Sequence, residues 1–471
     1  MTDDFTGSEA EVRRSFEAAG QGHVFRFFEQ LERGSRERFL AELQGVDLPT
    51  LARLIRELKA DRPVSTIDLG RLKPAPFISL PRTSGARRKE NRAIAAGEEI
   101  LRAGKVAAFV VAGGQGSRLG YDGPKGCYPV GPISGCSLFE WHFSKVLASR
   151  RRYGAAIPIF VLTSQANHEE TEEFLRENSC FGLPREDVIL FRQGMLPAVD
   201  RDGRLLLSSK SSLFLSPDGH GGSLAALARE GALTEMERRA IEQIYYFQVD
   251  NPLARVLEPA FLGHHVLAGS QMSSKCVPKR DAAEKVGVFA RTGRSLGVVE
   301  YSDLPEELAA ARDAEGELLY RAGNIAIHAL SVEFVRQVTS GGPALPYHRA
   351  AKAVRYVDAA GKVVTPDGKN GVKFETFVFD ALPLARKTLV VEASRAEEFS
   401  PLKNRTGQDS PGTARDDLSS LFRSWLEAAG LAPARPDALV EISPLFSLDR
   451  EQFSARVRKE RQICEHRLLI S

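Results

Sequence analysis

The stretch Val106–Gly126, VAAFVVAGGQGSRLGYDGPKG, constrains this chain more than any other. Val106–Ala112 is a short and nearly continuous apolar run, which predicts a strand buried on both faces of a sheet. The next eight positions hold Gly113, Gly114, Gly116, Ser117 and Gly120. Residues without a Cβ let backbone N–H groups approach an anion and permit sharp turns. Arg118 and Lys125 add positive charge beside the loop. A strand that opens into such a loop is built for a polyphosphate.

Spacing removes the two commonest loops of that kind. A Walker loop ends in Gly-Lys-Ser/Thr, whereas Lys125 is followed by Gly126. A dinucleotide fingerprint needs a third glycine where this chain has Leu119, and a helix at once, whereas Gly120–Pro124 reads as a turn. Beyond the loop the pattern alternates. Ser137 and Glu140 predict a capping box and a helix to about Ser149. Ile157–Leu162, Val188–Phe191 and Ile244–Val249 read as strands, and Glu169–Arg176 and Gly221–Glu230 as helices. Such alternation predicts an α/β fold, a mostly parallel, doubly wound sheet with ligands beyond the carboxyl ends of its strands.

On either side the pattern changes. Val24, Phe27, Phe28, Leu31, Phe39, Leu40 and Leu43 recur at helical spacing and predict a helical amino-terminal lobe over residues 1–100, broken by Pro63, Pro74, Pro76 and Pro81. Residues 101–385 form the expected catalytic domain. Residues 386–471 read as a small carboxyl-terminal lobe with a helix over Asp416–Ala428, stopped by Gly430. Pro433 and Pro436 then lead into a strand over Ala438–Ile442, and a charged, helix-like tail runs to Arg467.

Charge narrows the partners. With 64 basic and 61 acidic side chains the net charge is +3, too balanced for nucleic acid as the main partner. The runs Arg87–Lys89 and Arg150–Arg152 read as solvated surfaces. No apolar run approaches the ~18 residues of a membrane span. The polar start MTDDFTGSEA is unlike a secretory signal. Five cysteines without C-x-x-C spacing indicate neither zinc nor a disulfide framework, which fits a reduced cytoplasm.

Several polar residues fall where such a sheet would place a ligand. Asp250, at the end of the strand Ile244–Val249, suits Mg²⁺, a hard cation that takes oxygen ligands, and reads otherwise as the cap of a turn before Pro252. Gln193 could read a base edge with paired donor and acceptor, or be an ordinary loop glutamine. Glu300 in the strand-like run Leu296–Tyr301 can accept from sugar hydroxyls, and Asn324 can donate and accept. Phe377 and Phe379 alternate along Phe374–Phe379, so one side is expected in the core and the other against an apolar ligand group.

The loop resembles the nucleotidyltransferase sequence G-G-x-G-[ST]-R-L-G followed by P-K-G. The chain is similar to the eukaryotic-type UDP-N-acetylglucosamine pyrophosphorylases of the UDP-glucose pyrophosphorylase family. The likeness continues in order through QGMLPAV (193–199), SPDGHGG (216–222), VDN (249–251), VVEYSD (298–303), GNIAIH (323–328), KFETFVFDALPLA (373–385), EEFSPLKN (397–404) and TARDDL (413–418). It implies a Rossmann-like mixed-sheet core and a Mg²⁺-assisted uridylyl transfer from UTP to a sugar 1-phosphate, with N-acetylglucosamine 1-phosphate the expected acceptor, and glucose 1-phosphate or broad use of sugar 1-phosphates the alternatives. By the same likeness Ala112, Gly113, Gly114 and Gln193 would meet uracil, and Gly219 and His220 the ribose and sugar phosphate. Glu300, Asn324, Phe377 and Phe379 would meet the sugar. Arg118, Lys125 and Lys403 would meet the phosphates, Lys373 the sugar phosphate, and Asp250 the metal. His220 departs from the pattern: the UDP-N-acetylglucosamine enzymes usually carry Asn there, whereas the UDP-glucose enzymes use Gly-His-Gly.

A phosphate monoester is already dianionic near neutrality, its second pKa being ~6, so no general base is needed. The expected partners are therefore UTP and a sugar 1-phosphate, with no nucleic acid or membrane, in a monomer or weak homo-oligomer. The rival readings are a dinucleotide-dependent oxidoreductase, disfavoured by the misplaced third glycine, and a noncatalytic nucleotide-sugar sensor, disfavoured by the retained Arg118, Lys125, Asp250 and Lys403.

Overall fold

A computed structural model describes residues 3–60, 69–341, 345–431, 435, 437–457 and 467–470. The chain forms two compact units, neither continuous in sequence. The first comprises Met1–Thr66, Gly194–Gly222 and Leu345–Val378, and the second Ile67–Gln193, Ser223–Ala344 and Phe379–Ser471.

The second unit is built on a ten-stranded mixed sheet. Its strands are β1 (Leu72–Pro74), β2 (Val106–Val111), β3 (Ile159–Thr163), β4 (Val188–Arg192), β5 (Gln243–Gln248), β6 (Met272–Pro278), β7 (Val288–Thr292), β8 (Ser295–Val299), β9 (Ala322–Ser331) and β10 (Thr388–Glu392). The order is β1-β7-β9-β5-β2-β3-β4, with β6 joined to β9 and β10, and β8 to β7. Strands β5, β2, β3 and β4 are parallel. The rest of that path is antiparallel, and off it β10 runs parallel to β6. Its apolar runs explain the arrangement: Val106–Val110 and Ile159–Leu162 are wholly buried, as strands covered on both faces must be. Each fully buried Val, Ile or Phe contributes on the order of 2 kcal/mol.

The parallel register brings the ends of β2, β4 and β5 together at one edge: Val111 lies beside Leu162 and Gln248, and Thr163 beside Arg192. Between β2 and β3 runs the helix Leu138–Tyr153. The Ser137 hydroxyl accepts from the Glu140 N–H at 3.0 Å, half of the expected capping box, and the helix runs four residues past Ser149 before Gly154 ends it at φ 64°. Arg150 is not solvated: its side chain is 15% exposed and it pairs with Asp187 at 2.8 Å.

The first unit holds the helices Asp3–Ala18, Arg33–Gln44 and Leu48–Lys59, packed with a small sheet of Val199–Asp200, Gly371–Glu375 and His348–Lys352. Val24 and Phe28 are fully buried, but Val24–Leu31 is two short 3₁₀ turns rather than a helix. Helical spacing marked the burial correctly and the backbone incorrectly, because a 3₁₀ turn also stacks residues three apart on one side. The expected alternation over Phe374–Phe379 also gives way. The strand ends at Glu375 and a 3₁₀ segment begins at Val378.

Boundaries at residues 100 and 385 do not match the compact units. The helix Ser84–Arg102 and strand β1 lie in the second unit. β10 pairs with β6 inside the main sheet, and Leu418, Phe422, Trp425, Val440 and Ile442 join the same core as β2 and β3. Long-range strand returns erase boundaries that a change of pattern suggests. The carboxyl-terminal helix is Pro411–Ala428, capped reciprocally by Ser410 and Thr413. The tail is a short helix, Arg450–Arg456, and a strand, Arg467–Ile470, parallel to Leu439–Ile442. Pro63, Pro433, Pro436, Cys464 and the middle of the tail lie outside the described residues.

Candidate active site

The glycine loop is held open by its own backbone. The Gly116 N–H donates to Gly123 O at 2.9 Å and the Lys125 N–H to Gly114 O at 3.0 Å, forming a narrow antiparallel pinch. Ser117–Leu119 is a single 3₁₀ turn that ends at Gly120, φ 75°. Among the described residues, the N–H groups of Gly113, Gly114 and Gln115 donate to no other part of the chain. Three successive amides without protein acceptors remain available to a ligand. Arg118 is exposed on the 3₁₀ turn and makes no ion pair among the described residues.

Behind the loop sits Asp250, 5% exposed, two residues past the end of β5. Its Oδ2 accepts from Lys403 Nζ at 2.6 Å and from Lys125 Nζ at 3.2 Å, and Lys125 Nζ also donates to Leu402 O at 3.4 Å. Burial by itself would raise the Asp250 pKa. The ammonium groups of Lys403 and Lys125 outweigh it and hold the carboxyl at about 2. Three residues 125 and 153 positions apart in sequence thus form one charge cluster of net +1.

The segment that delivers Lys403 is tied directly to the one that delivers Asp250. Asn251 Nδ2 donates to Glu398 O at 2.7 Å, the Ser400 N–H donates to Asn251 Oδ1 at 3.1 Å, and the Leu402 N–H donates to Asp250 O at 2.8 Å. The cluster fits Mg²⁺. Both lysines use the same oxygen of Asp250, and a single carboxylate completed by substrate phosphate oxygens and water is a usual site for this ion. No group of three His, Cys, Asp or Glu occurs among the described residues, so a protein-only metal cage is not what this site offers.

Gln193 follows β4 directly and is 8% exposed. Its amide lies flat on Gly113: a Cβ built there would stand 2.5 Å from Gln193 Oε1. The structure therefore brings Gln193 against Gly113, between Ala112 and Gly114. Glu300 and Asn324 meet around Gly287. A Cβ on Gly287 would lie 3.0 Å from Glu300 Oε1, and the Asn324 N–H donates to Gly287 O at 2.8 Å. Asn324 Oδ1 accepts the Ala326 N–H at 3.0 Å, supporting a backbone kink where Ala326 has φ 54°. Glu300 follows β8 instead of lying within it. Phe379 is 5% exposed.

The first unit gathers its own group. Gly219 adopts φ 84°, and a Cβ there would stand 2.4 Å from Thr376 O, so only glycine fits. The Gly221 N–H donates to Thr376 O, and the Thr376 N–H to Asp218 O at 2.7 Å. The Val378 N–H donates to His220 Nδ1 at 3.2 Å, which leaves the neutral ring's proton on Nε2. His220 stacks on Phe377 at 5.2 Å, and His348 packs on Phe377 at 4.5 Å. Lys373 lies over the Phe214 ring at 4.9 Å, its pKa lowered by burial.

Three contributors escape a reading of the sequence. Asn167, 1% exposed, donates to Ala112 O at 2.9 Å and Gly114 O at 3.3 Å and so fixes the loop's exit from β2. Asn251 splices the Lys403 segment onto Asp250. Arg405 lies against Gly120, where a Cβ would stand 3.1 Å from its Nε. An asparagine just before a helix was the only available signal for Asn167.

The family described as UTP–glucose-1-phosphate uridylyltransferase matches residues 72–465. The UDP-N-acetylhexosamine pyrophosphorylase-like protein 1 of Xenopus tropicalis is 37% identical, over 92% of this chain and 91% of that protein. The UDP-N-acetylglucosamine pyrophosphorylase of Saccharomyces cerevisiae is 36% identical, over 94% and 96% respectively. In structure, the uridine diphosphate N-acetylglucosamine pyrophosphorylase from Trypanosoma brucei, in complex with inhibitor, matches with a TM-score of 0.82 and 26% identity over 98% of each chain.

Proposed function

The chain belongs to the UTP–glucose-1-phosphate uridylyltransferase family, and we propose on that premise that it joins UTP to N-acetylglucosamine 1-phosphate, releasing pyrophosphate. The observation that carries this reading is the Lys125–Asp250–Lys403 cluster beside three unclaimed backbone amides. Relatives named for the N-acetylated sugar support the acceptor.

The chemistry required is neutralisation and alignment. Both substrates are polyanions, so approach is opposed until positive charge is supplied. Of the unclaimed amides, that of Gln115, with Arg118 and Lys125, is assigned to the triphosphate, while Gln193 and the backbone of Ala112–Gly114 are assigned to the uracil. Within the second unit Glu300, Asn324 and Phe379 are assigned to the acceptor sugar; within the first, Phe377 is assigned to the sugar, Lys373 to its phosphate, and Gly219 and His220 to the ribose and sugar phosphate. Lys403, on Asp250 here, is placed to leave that carboxylate for a phosphate oxygen. The sugar phosphate oxygen attacks the α-phosphorus in line, its P–O bond forming as the bond to pyrophosphate breaks. No proton need move, because the attacking phosphate is already dianionic. Asp250 would hold Mg²⁺, which when bound would supply positive charge against the negative charge developing on pyrophosphate. Catalysis is then positioning plus electrostatic stabilisation. Among the described residues no helix is long and apolar enough to cross a membrane, and a cytoplasmic site of action is part of the proposal.

His220 favours glucose 1-phosphate as a second reading. Pyrophosphate release from UTP with N-acetylglucosamine, N-acetylgalactosamine and glucose 1-phosphates decides between them. The highest kcat/KM is expected for N-acetylglucosamine 1-phosphate. A preference for glucose 1-phosphate overturns the acceptor, and absence of release with every sugar overturns the activity.

A further inference from the structure

A cavity of about 400 Å³ lies within the second unit. One wall is the segment Pro252–Ala260, which continues directly from Asp250 and Asn251. Another is aromatic. Trp141 lies 6.1 Å from Phe422, which packs edge-on to Trp425 at 5.4 Å. The volume is that of a small-molecule site, and the lining sets apolar side chains beside nine charged ones, including the carboxylates of Glu90, which pairs with His264, and Glu397, which faces Arg255.

The charges around the cavity are unevenly satisfied. Arg152 pairs with Asp449, Arg255 with Glu258 at 2.9 Å, and Arg450 with Glu451 at 3.3 Å. Lys145 has no carboxylate within ion-pair distance among the described residues. Its Nζ donates instead to Pro252 O at 2.5 Å and Ala254 O at 2.7 Å. Trp141 Nε1 donates to the same Pro252 O at 3.0 Å. Burial pushes the Lys145 pKa down to about 7, with Glu398 acting weakly the other way, as expected of an amine deprived of a counter-ion. An anion in the cavity would supply that missing counter-ion, and it would compete with the carbonyls that fix the chain just beyond Asp250.

We propose that this cavity binds a small aromatic monoanion, an aryl carboxylate or sulfonate, with its ring on the Trp141–Phe422–Trp425 wall and its charge on Lys145, and that occupancy slows turnover by shifting the Asp250 segment through Pro252 and Ala254. Binding stands on the cavity alone, whereas the effect on turnover rests on the uridylyl-transfer reading.

The chain's two tryptophans are Trp141 and Trp425, and both line this cavity, so intrinsic emission reports its occupancy. The full-length protein is titrated with anilinonaphthalene sulfonate as the anionic probe and with phenylnaphthylamine as its neutral counterpart, reading energy transfer from tryptophan. The sulfonate is expected to quench saturably. Lys145→Met should weaken it about tenfold, the scale of one charge-assisted hydrogen bond, and leave the neutral probe's affinity unchanged. Leu421→Glu, which places a like charge on the cavity wall at a half-buried position, should weaken the sulfonate too and keeps the test decisive if the lysine variant does not fold. Sulfonate affinity that survives either variant, or quenching that does not saturate, overturns the site. In the pyrophosphate assay the sulfonate should lower kcat with KM for UTP unchanged, and competition with UTP overturns the regulatory half. Lack of turnover with any sugar phosphate would instead sink the uridylyl-transfer reading and leave the binding result standing.

Discussion

Asp250 is the residue on which the site's electrostatics converge, and each partner has a separate test. Lys125→Ala removes a half-buried donor that the proposed reading gives to the triphosphate, and should lower kcat by about 10²-fold or more, the scale of one lost charge-stabilising donor. Lys403 is 46% exposed at its side chain against 17% for Lys125. Better solvated, it should cost less when truncated, and single-turnover rates for the two alanine variants check the order. Asp250→Asn keeps the shape but leaves two ammonium groups facing a neutral amide. The expected outcome is a steep loss of turnover that added Mg²⁺ does not restore, with the fold retained by circular dichroism. The sequence named all three residues. It could not show that the lysines share one oxygen.

At the scale of elements, the site depends on a splice between β5 and the segment Glu398–Lys403. Asn251 makes two hydrogen bonds across it, and both leave buried backbone groups unpaired when lost. Asn251→Ala should destabilise the protein by about 1–3 kcal/mol. It should also lower kcat more than it raises KM for UTP, because Lys403 loses its placement. Thermal unfolding and steady-state kinetics read the two effects independently. An unchanged kcat would show that Lys403 is positioned by its own ion pair. On the strand side, Gly113→Ala drives a methyl group into the Gln193 amide at 2.5 Å. UTP affinity should fall, since either the Gln193 amide or the loop must move. Strands β2 to β5 and three of the helices between them were legible because apolar runs and helical periodicity are local, whereas the helix Ala232–Arg238 was not foreseen. The 3₁₀ turns over Val24–Leu31 and the strand end at Glu375 were not, because burial alone does not distinguish such backbones.

For the whole molecule, the pH dependence follows from the charge cluster. Asp250 titrates at about 2 in the folded chain against an ordinary 3.8. Its folded pKa is lowered, so its stabilisation is complete above about pH 4 and is lost only as pH falls through 2. Between pH 5 and 9 the carboxylate is therefore fixed, and the acidic limb of kcat/KM should follow the acceptor's own phosphate ionisation near ~6. A limb that moves with the sugar phosphate's pKa, tested with a more acidic phosphate analogue, confirms it. A limb unchanged across acceptors points to a protein group instead.

The sequence by itself determined the strand, the glycine loop with its two cations, the parallel half of the sheet and the candidate residues, because these rest on side-chain type at short spacing. Tertiary structure alone decided which charges meet and which chain segments make one unit. It drew residues 194–222 and 345–378 to the amino-terminal helices and β10 into the main sheet. It also seated Lys403 on Asp250. Those outcomes depend on pairing across hundreds of residues, where the energy comes from buried contact and from hydrogen bonds that no local pattern encodes.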